Sequence, residues 1–202
     1  EKEKKDMTIK KFGDYETTQS YKEYEPLPKG GYIIKILGAE VCESSYGQYI
    51  KLSCDIAEGE YAGFYSNDYK NQQSENKKWH CNYLLNVPND DGSDMDNWTK
   101  RKFKTVIEAI EDSNTGYHFD WDEQKFKGKI VGGLFNEREY EDSNRNIRRT
   151  VNLAKICSVD KIRSGKFTLP GDKLIKSSAK KSMDGFMTLP DGAEEELPFT
   201  FD

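Results

Sequence analysis

The chain has 202 residues, 35% of them hydrophobic and 33% charged, with a formal net charge of −5. That length fits one domain with extensions or two small domains, and the acidic balance argues against a protein that coats nucleic acid by bulk positive charge alone. No stretch approaches the roughly 20 apolar residues of a membrane-spanning helix. Residues 1–6 hold no apolar run, so no signal peptide or anchor is expected and a cytoplasmic location in a bacterial host cell is.

Residues 1–28 are polar with isolated rings (Phe12, Tyr15, Tyr21, Tyr24), and Pro26, Pro28, Gly30 and Gly31 punctuate their end. They predict an extended N-terminal arm. Residues 32–42 are dense in apolar and β-branched side chains and predict a first strand, with Gly38 marking a bulge inside it. Ser44 to Gly47 reads as a turn. Residues 49–57 alternate with period two: Ile50, Leu52, Cys54 and Ile56 face one side, Tyr49, Lys51, Ser53 and Asp55 the other. Residues 59–78 form a long connection, in which Gly63-Phe64-Tyr65 predicts a short strand and Asn67 to Lys78 a mobile loop. Residues 79–87 predict a third strand with Cys81, Tyr83, Leu85 and Val87 on one face; parity puts Trp79 on that face too.

The convincing helix covers residues 96–112, where Phe103, Val106, Ile107 and Ile110 make one apolar stripe. Asp94 or Asp96 is the expected N-cap, Ser113-Asn114-Thr115-Gly116 the stop, and Lys100, Arg101, Lys102 and Lys104 lie on the exposed face. Phe119, Trp121 and Phe126 are expected to plug one end of the core. Residues 129–140 predict a fourth strand bent at Gly132-Gly133. Asp142-Ser143-Asn144 is a hairpin turn, and residues 147–159 a fifth strand carrying Val151, Leu153 and Ile156. After Lys161 the pattern fades into a basic linker and a disordered tail. Four scattered cysteines (Cys42, Cys54, Cys81, Cys157) sit in apolar-patterned segments, as buried free thiols of a reducing compartment do.

Three strands, a helix and two strands are the element order of the OB-fold, a five-stranded Greek-key barrel whose sheet face and loops bind oligonucleotides or oligosaccharides. The expected fold is therefore mainly β: an OB-like barrel at residues 29–168 with one helix between strands three and four, an arm at 1–28, and a basic linker with an acidic tail at 169–202. A long first strand with a glycine inside it suits a strand that must coil to pair in both halves of a barrel.

Charge is polarised along the sequence. From Arg145 to Lys181 there are eleven lysines and arginines against Asp160 and Asp172; from Asp184 onward there are six acids and no base. The chain ends in an acidic tip, Glu194-Glu195-Glu196-Leu197-Pro198-Phe199, followed by Thr200-Phe201-Asp202. Such a segment buries too little to fold alone but can dock as a peptide in a basic pocket with an apolar floor. It resembles the acidic tip of bacterial single-stranded DNA-binding proteins, except that three residues follow Phe199.

The chain also resembles a family of phage and prophage proteins of Gram-positive hosts that are treated as single-stranded DNA-binding or recombination-accessory proteins. The resemblance covers about residues 30–166 and the tail. It is carried by Gly30-Gly31-Tyr32, Cys54-Asp55-Ile56-Ala57-Glu58-Gly59-Glu60-Tyr61, Ile107-Glu108-Ala109-Ile110-Glu111 with Ser113-Asn114, Trp121-Asp122, Gly128-Lys129, and Ser158-Val159-Asp160-Lys161-Ile162-Arg163-Ser164-Gly165. It implies single-stranded DNA binding without sequence reading, with the tip recruiting replication or recombination proteins.

Binding a single strand needs cations along the phosphates and aromatic faces for the bases, each stack contributing about 1–3 kcal/mol. Candidates are Tyr49 and Lys51 on the outward face of strand two, and Tyr65, Tyr69, Lys70 and Trp79 between strands two and three. The last hairpin adds Arg138, Tyr140, Arg145, Arg148 and Arg149, with Lys155 further along. No cofactor, metal or catalytic residue is expected. The histidines, His80 and His118, lack a second ligand pair at metal spacing. Asp120-Trp121-Asp122-Glu123 reads as a solvated acidic loop, and there is no phosphate-binding Gly-Lys-Ser/Thr loop or nucleophile elbow. The alternative is an OB-like scaffold that binds protein rather than nucleic acid. DNA against RNA preference and a homo-oligomeric state stay open.

Overall fold

The computed structural model describes residues 10–18 and 26–175. Tyr21, Tyr24, the linker beyond Ile175 and the tip residues Glu194, Glu195, Glu196, Leu197, Pro198 and Phe199 lie outside the described residues.

The described part is mainly β, with one antiparallel five-stranded sheet and three helices. The strands are β1 (Gly30–Ser44), β2 (Gly47–Ile56), β3 (Asn82–Asn86), β4 (Ile130–Glu141) and β5 (Ile147–Cys157), in the spatial order β3-β2-β1-β4-β5. Helix α1 is Phe64–Asn71, α2 is Asp94–Ser113 and α3 is Val159–Arg163. β1 serves two partners. Gly30 to Lys35 pair with β4, and Ile34 to Ser44 pair with β2. The β1–β2 register shifts between Ile36 and Gly38, the bulge that Gly38 predicts.

The expected barrel is not closed. β3 and β5 approach within 8 Å between Cα atoms, yet no ladder joins them. β3 has only five residues, each matched to β2, and α1 with His80 stands beside the β5 edge where further pairing would run.

One apolar core fills the concave side. Ile34, Ile36, Leu52, Cys54, Ile110, Phe126, Val131, Phe135 and Ile156 are wholly or nearly wholly enclosed. Each large side chain so placed is worth about 1.5–3 kcal/mol relative to exposure. The alternation of β2 holds for Ile50, Leu52, Cys54 and Ile56 but not for Asp55, which is buried. Leu27, assigned by its neighbours to the arm, belongs to the core.

The connection after β2 holds a helix where a short strand was expected, and the loop is confined to residues 72–78. The helix N-cap, Gly63, supplies no side chain. The Asp55 carboxylate takes that role from the neighbouring strand, accepting from the backbone N–H of Tyr65 at 2.9 Å and of Ser66 at 3.0 Å. Helix α2 starts at Ser93, whose hydroxyl accepts from the Asp96 N–H at 3.1 Å. Asp96 is not the cap; it turns inward and holds the preceding loop through the N–H groups of Asn89 and Asp90. At the far end, Asn114 bonds to the carbonyls of Ile110 and Ile130, tying the helix to β4.

The β1–β4 pairing runs unbroken through Gly132-Gly133, and the irregularity of β4 falls in its ladder with β5, between Leu134 and Phe135. The glycines permit close packing. A Cβ on Gly132 would lie 2.8 Å from the Ser158 carbonyl oxygen and 2.7 Å from Ile162. β5 ends at Cys157, and residues 159–163 turn into α3 rather than extending the strand. Residues 172–175 are not a free linker. Lys173 bridges Arg138 in parallel, with Glu139 N–H to Lys173 O at 2.9 Å and Lys173 N–H to Glu137 O at 2.8 Å, so this strip covers the part of the β4 edge that β1 leaves bare.

Candidate nucleic-acid interface

Beyond Asn136, β4 and β5 continue as a two-stranded ribbon, whose register pairs Arg138 with Thr150, Glu139 with Arg149, and Tyr140 with Arg148. Strand geometry sorts these residues onto two faces. Arg138, Tyr140, Arg148 and Thr150 share one; Glu137, Glu139, Glu141, Ile147, Arg149 and Val151 share the other. The acids of β4 therefore gather opposite the Arg138–Tyr140–Arg148 face.

The turn at the ribbon's tip is built by Asp142. Its carboxylate accepts from the N–H groups of Asn144 and Asn146, both at 2.9 Å, and from Arg148 Nε at 3.1 Å. The Asn146 N–H and the Arg148 guanidinium hold its pKa below the usual carboxylate range. Arg145 sits in the same turn with a left-handed φ of 62°. Arg149 Nε donates to Glu139 at 2.9 Å, and that contact stabilises its charged form.

A cleft of about 580 Å³ opens where the edge of β5 faces α1. Its walls include Leu27, Tyr65, Asp68, His80, Arg138, Tyr140 and Arg149. Four of the residues singled out from sequence thus meet in one place: Tyr65, Arg138, Tyr140 and Arg149. Tyr140 is 43% exposed and Arg138 forms no ion pair among the described residues. His80 Nδ1 lies 2.8 Å from Asp68 Oδ2, so the cleft also carries an acid–imidazole pair that the sequence did not suggest. These two residues are twelve apart on a helix and on the segment leading to β3, and only the fold of α1 brings them together.

The other candidates distribute differently. Tyr65 is 4% exposed and lies parallel to Phe135 with ring centroids 6.3 Å apart, so its faces are taken by the core and unavailable for stacking. Trp79 also faces inward: its indole N–H donates to the carbonyls of Cys54 and Cys81, each at 3.0 Å. Tyr69 leans on Trp79 with centroids 5.7 Å apart and keeps an outer edge exposed, and Lys70 is exposed at the end of α1. Tyr49 and Lys51 lie on the outer face of β2, paired across to Cys42 and Glu40 of β1. The Cys42 thiol beside the Tyr49 hydroxyl raises its pKa, and Lys51 Nζ lies 3.9 Å from Glu40. Lys155 is exposed further along β5 and lines a groove beside α2, away from the cleft.

Three exposed rings escaped sequence reasoning, among them Tyr46 in the β1–β2 turn, 92% exposed. Trp121, expected in the core, is 78% exposed and stacks on Phe103 with centroids 6.1 Å apart. Trp98 is 47% exposed on α2. Hydropathy alone assigns tryptophan to the interior; the positive φ of Trp121, which turns its side chain outward, leaves no trace in composition.

Cys54, Cys81 and Cys157 are buried and Cys42 half-buried, all as free thiols. No group of three or more His, Cys, Asp or Glu is placed to hold a metal ion among the described residues. No described helix is long and apolar enough to cross a membrane. No protein-family model and no curated protein matches the chain.

Proposed function

We propose that the protein binds single-stranded DNA without reading its sequence, in phage or prophage replication or recombination, and performs no catalysis. The carrying observation is the ribbon face on which Tyr140 stands between Arg138 and Arg148. An exposed ring flanked by guanidinium groups is what a single strand requires: a face for a base, and cations one phosphate to either side. The strand order supports this reading: β3-β2-β1-β4-β5 is the order an OB barrel slit between β3 and β5 would have, and the β4–β5 hairpin is a loop such barrels use to grip oligonucleotides. The resemblance of residues 30–166 to phage single-strand-binding proteins points the same way. The acidic tip then recruits partner proteins, and in the absence of DNA shields the cationic ribbon.

A second reading has its own support. The outer edge of β5 has no strand partner among the described residues, and an extended peptide adds to such an edge. On that reading the protein is a scaffold. A mobility-shift titration with single-stranded and double-stranded DNA of equal length separates the two. Preferential, salt-sensitive retardation of the single strand is expected; no shift with either DNA at low salt overturns the proposal in favour of the scaffold.

A further inference from the structure

A second cationic surface lies between α2 and β5. A groove of about 490 Å³ is lined there by Tyr83, Trp98, Arg101, Lys102 and Lys155, together with Thr105, Val106 and Pro170. No carboxylate lines it. Neither Arg101, Lys102, Lys155 nor Lys173 forms an ion pair among the described residues, whereas Lys100 and Lys104 on the adjoining side of the same helix are committed to Asp90, Asp96 and Glu108. The separation follows from helical spacing: residues 100 and 104 fall on one flank, 98, 101, 102 and 105 on the other.

Positive charge is concentrated here without local compensation. Burial, then the neighbouring ammonium groups of Lys173 and Lys155, depresses the Lys102 pKa. The Lys102 ammonium rests 3.5 Å from the centroid of the Trp98 ring. Lys173 connects this groove to the ribbon, since it bridges Arg138 by backbone pairing while its charge reaches Lys102.

We propose that the Trp98–Arg101–Lys102–Lys155 groove is a second contact site for the same nucleic-acid strand, with phosphates on Lys102, Lys155 and Lys173 and a base on the face of Trp98. This rests on the single-strand-binding reading and extends it: the strand leaves the ribbon and continues over the α2 surface. A strand phosphate supplies the counter-charge that the groove lacks, and in drawing the Lys102 ammonium toward itself it frees the indole face for stacking.

The test uses the full chain and oligothymidylates of about 8 and about 30 nucleotides, one within and one well beyond the ~4–16 nucleotides that one OB domain covers. The paired substitution Lys102→Ala/Lys155→Ala is expected to weaken binding of the longer oligomer about tenfold and of the shorter one less than twofold, with a shallower salt dependence for the longer one. Saturation with the longer oligomer is expected to quench tryptophan emission, and Trp98→Phe to remove most of that quenching while leaving the circular dichroism spectrum unchanged. If the wild type binds the longer oligomer and neither variant changes affinity or quenching, the second site is refuted and the first reading stands. If the wild type binds neither oligomer, both fall. If a polyglutamate peptide quenches Trp98 while the longer oligomer does not, the groove takes an acidic peptide and the proposal is overturned.

Discussion

Asp55 on β2 grips Ser66 on α1 twice, its Oδ2 accepting from the backbone N–H at 3.0 Å and from the hydroxyl as well. Its other oxygen serves the N–H groups of Ile56 and Tyr65. A buried carboxylate thus does from the sheet what an N-cap residue does from within a helix. α1 forms because of it, and α1 is one wall of the cleft.

Asp55→Ala therefore strips four hydrogen bonds, three of them from backbone N–H groups. Unfolding by urea is expected to show a loss of about 2–4 kcal/mol, by the cost of orphaned buried donors. A midpoint unchanged from wild type would show that α1 holds itself.

The ribbon face predicts an ordering among variants. Arg138→Ala and Arg148→Ala should each weaken single-stranded DNA binding for all sequences and lower the salt slope by about 1 per lost phosphate contact. Tyr140→Ala should weaken it by about 1–3 kcal/mol, while Tyr140→Phe, which keeps the ring, should not. Fluorescence anisotropy at several salt concentrations reads both effects. Equal losses for Tyr140→Ala and Tyr140→Phe would show that the hydroxyl, not the ring, makes the contact.

Asp96 and Asp142 are two of the acids, with Asp91, Asp120 and Asp172, whose pKa the fold lowers. For Asp96, burial raises the pKa, but the Lys100 ammonium and the N–H groups of Asn89 and Asp90 outweigh it, and the carboxyl ends below its usual value. Asp142 is likewise lowered. A carboxyl more acidic in the folded state than in the unfolded one binds fewer protons when folded, so its contribution is present above the unfolded value near 4 and is lost as pH falls through the folded one. Thermal unfolding should accordingly shift downward as pH drops below about 4. Asp96→Asn should flatten that dependence; an unaltered profile would assign it to other carboxyls.

Thiol chemistry should follow depth. Burial pushes the Cys54 thiol up to about 12 and raises that of Cys81 well above the ordinary range. Thiolate is the reactive form, so both should resist a disulfide reagent at mildly alkaline pH until the protein unfolds. Cys42, half-buried on the outer face of β1, should react first. Kinetic titration of native protein, with Cys42→Ser as reference, checks this.

Much of the sheet was readable because period-two alternation is a local signal. β2 and the apolar stripe of α2 stand where the pattern put them, and the bulge at Gly38 follows from a glycine in a long strand. α1 was not readable, since its polar sequence carries no stripe and its cap is Asp55, remote in the chain and assigned by parity to the outside. The two glycines of β4 were legible as special positions, but the packing around them was not: Ser158 and Ile162 crowd Gly132, and Leu153, Ile34 and Phe135 crowd Gly133. At the site, Arg138, Tyr140 and Arg149 converge as their hairpin suggested. Tyr65 lines the same cleft but offers no face to a base, and Trp79 lies outside it, because ring count cannot distinguish a ring packed on Phe135 or pinned by its N–H from one left free.

A sheet with a slit invites polymerisation, because bare backbone recruits more backbone. Here the chain doubles back at Lys173 to sheathe the rim of β4, and the rim still bare bristles with Arg148, Arg149 and Lys155. Two copies meeting along that rim would bring like charges together. The same residues proposed to attract a polyanion would thereby oppose edge-to-edge pairing of two copies.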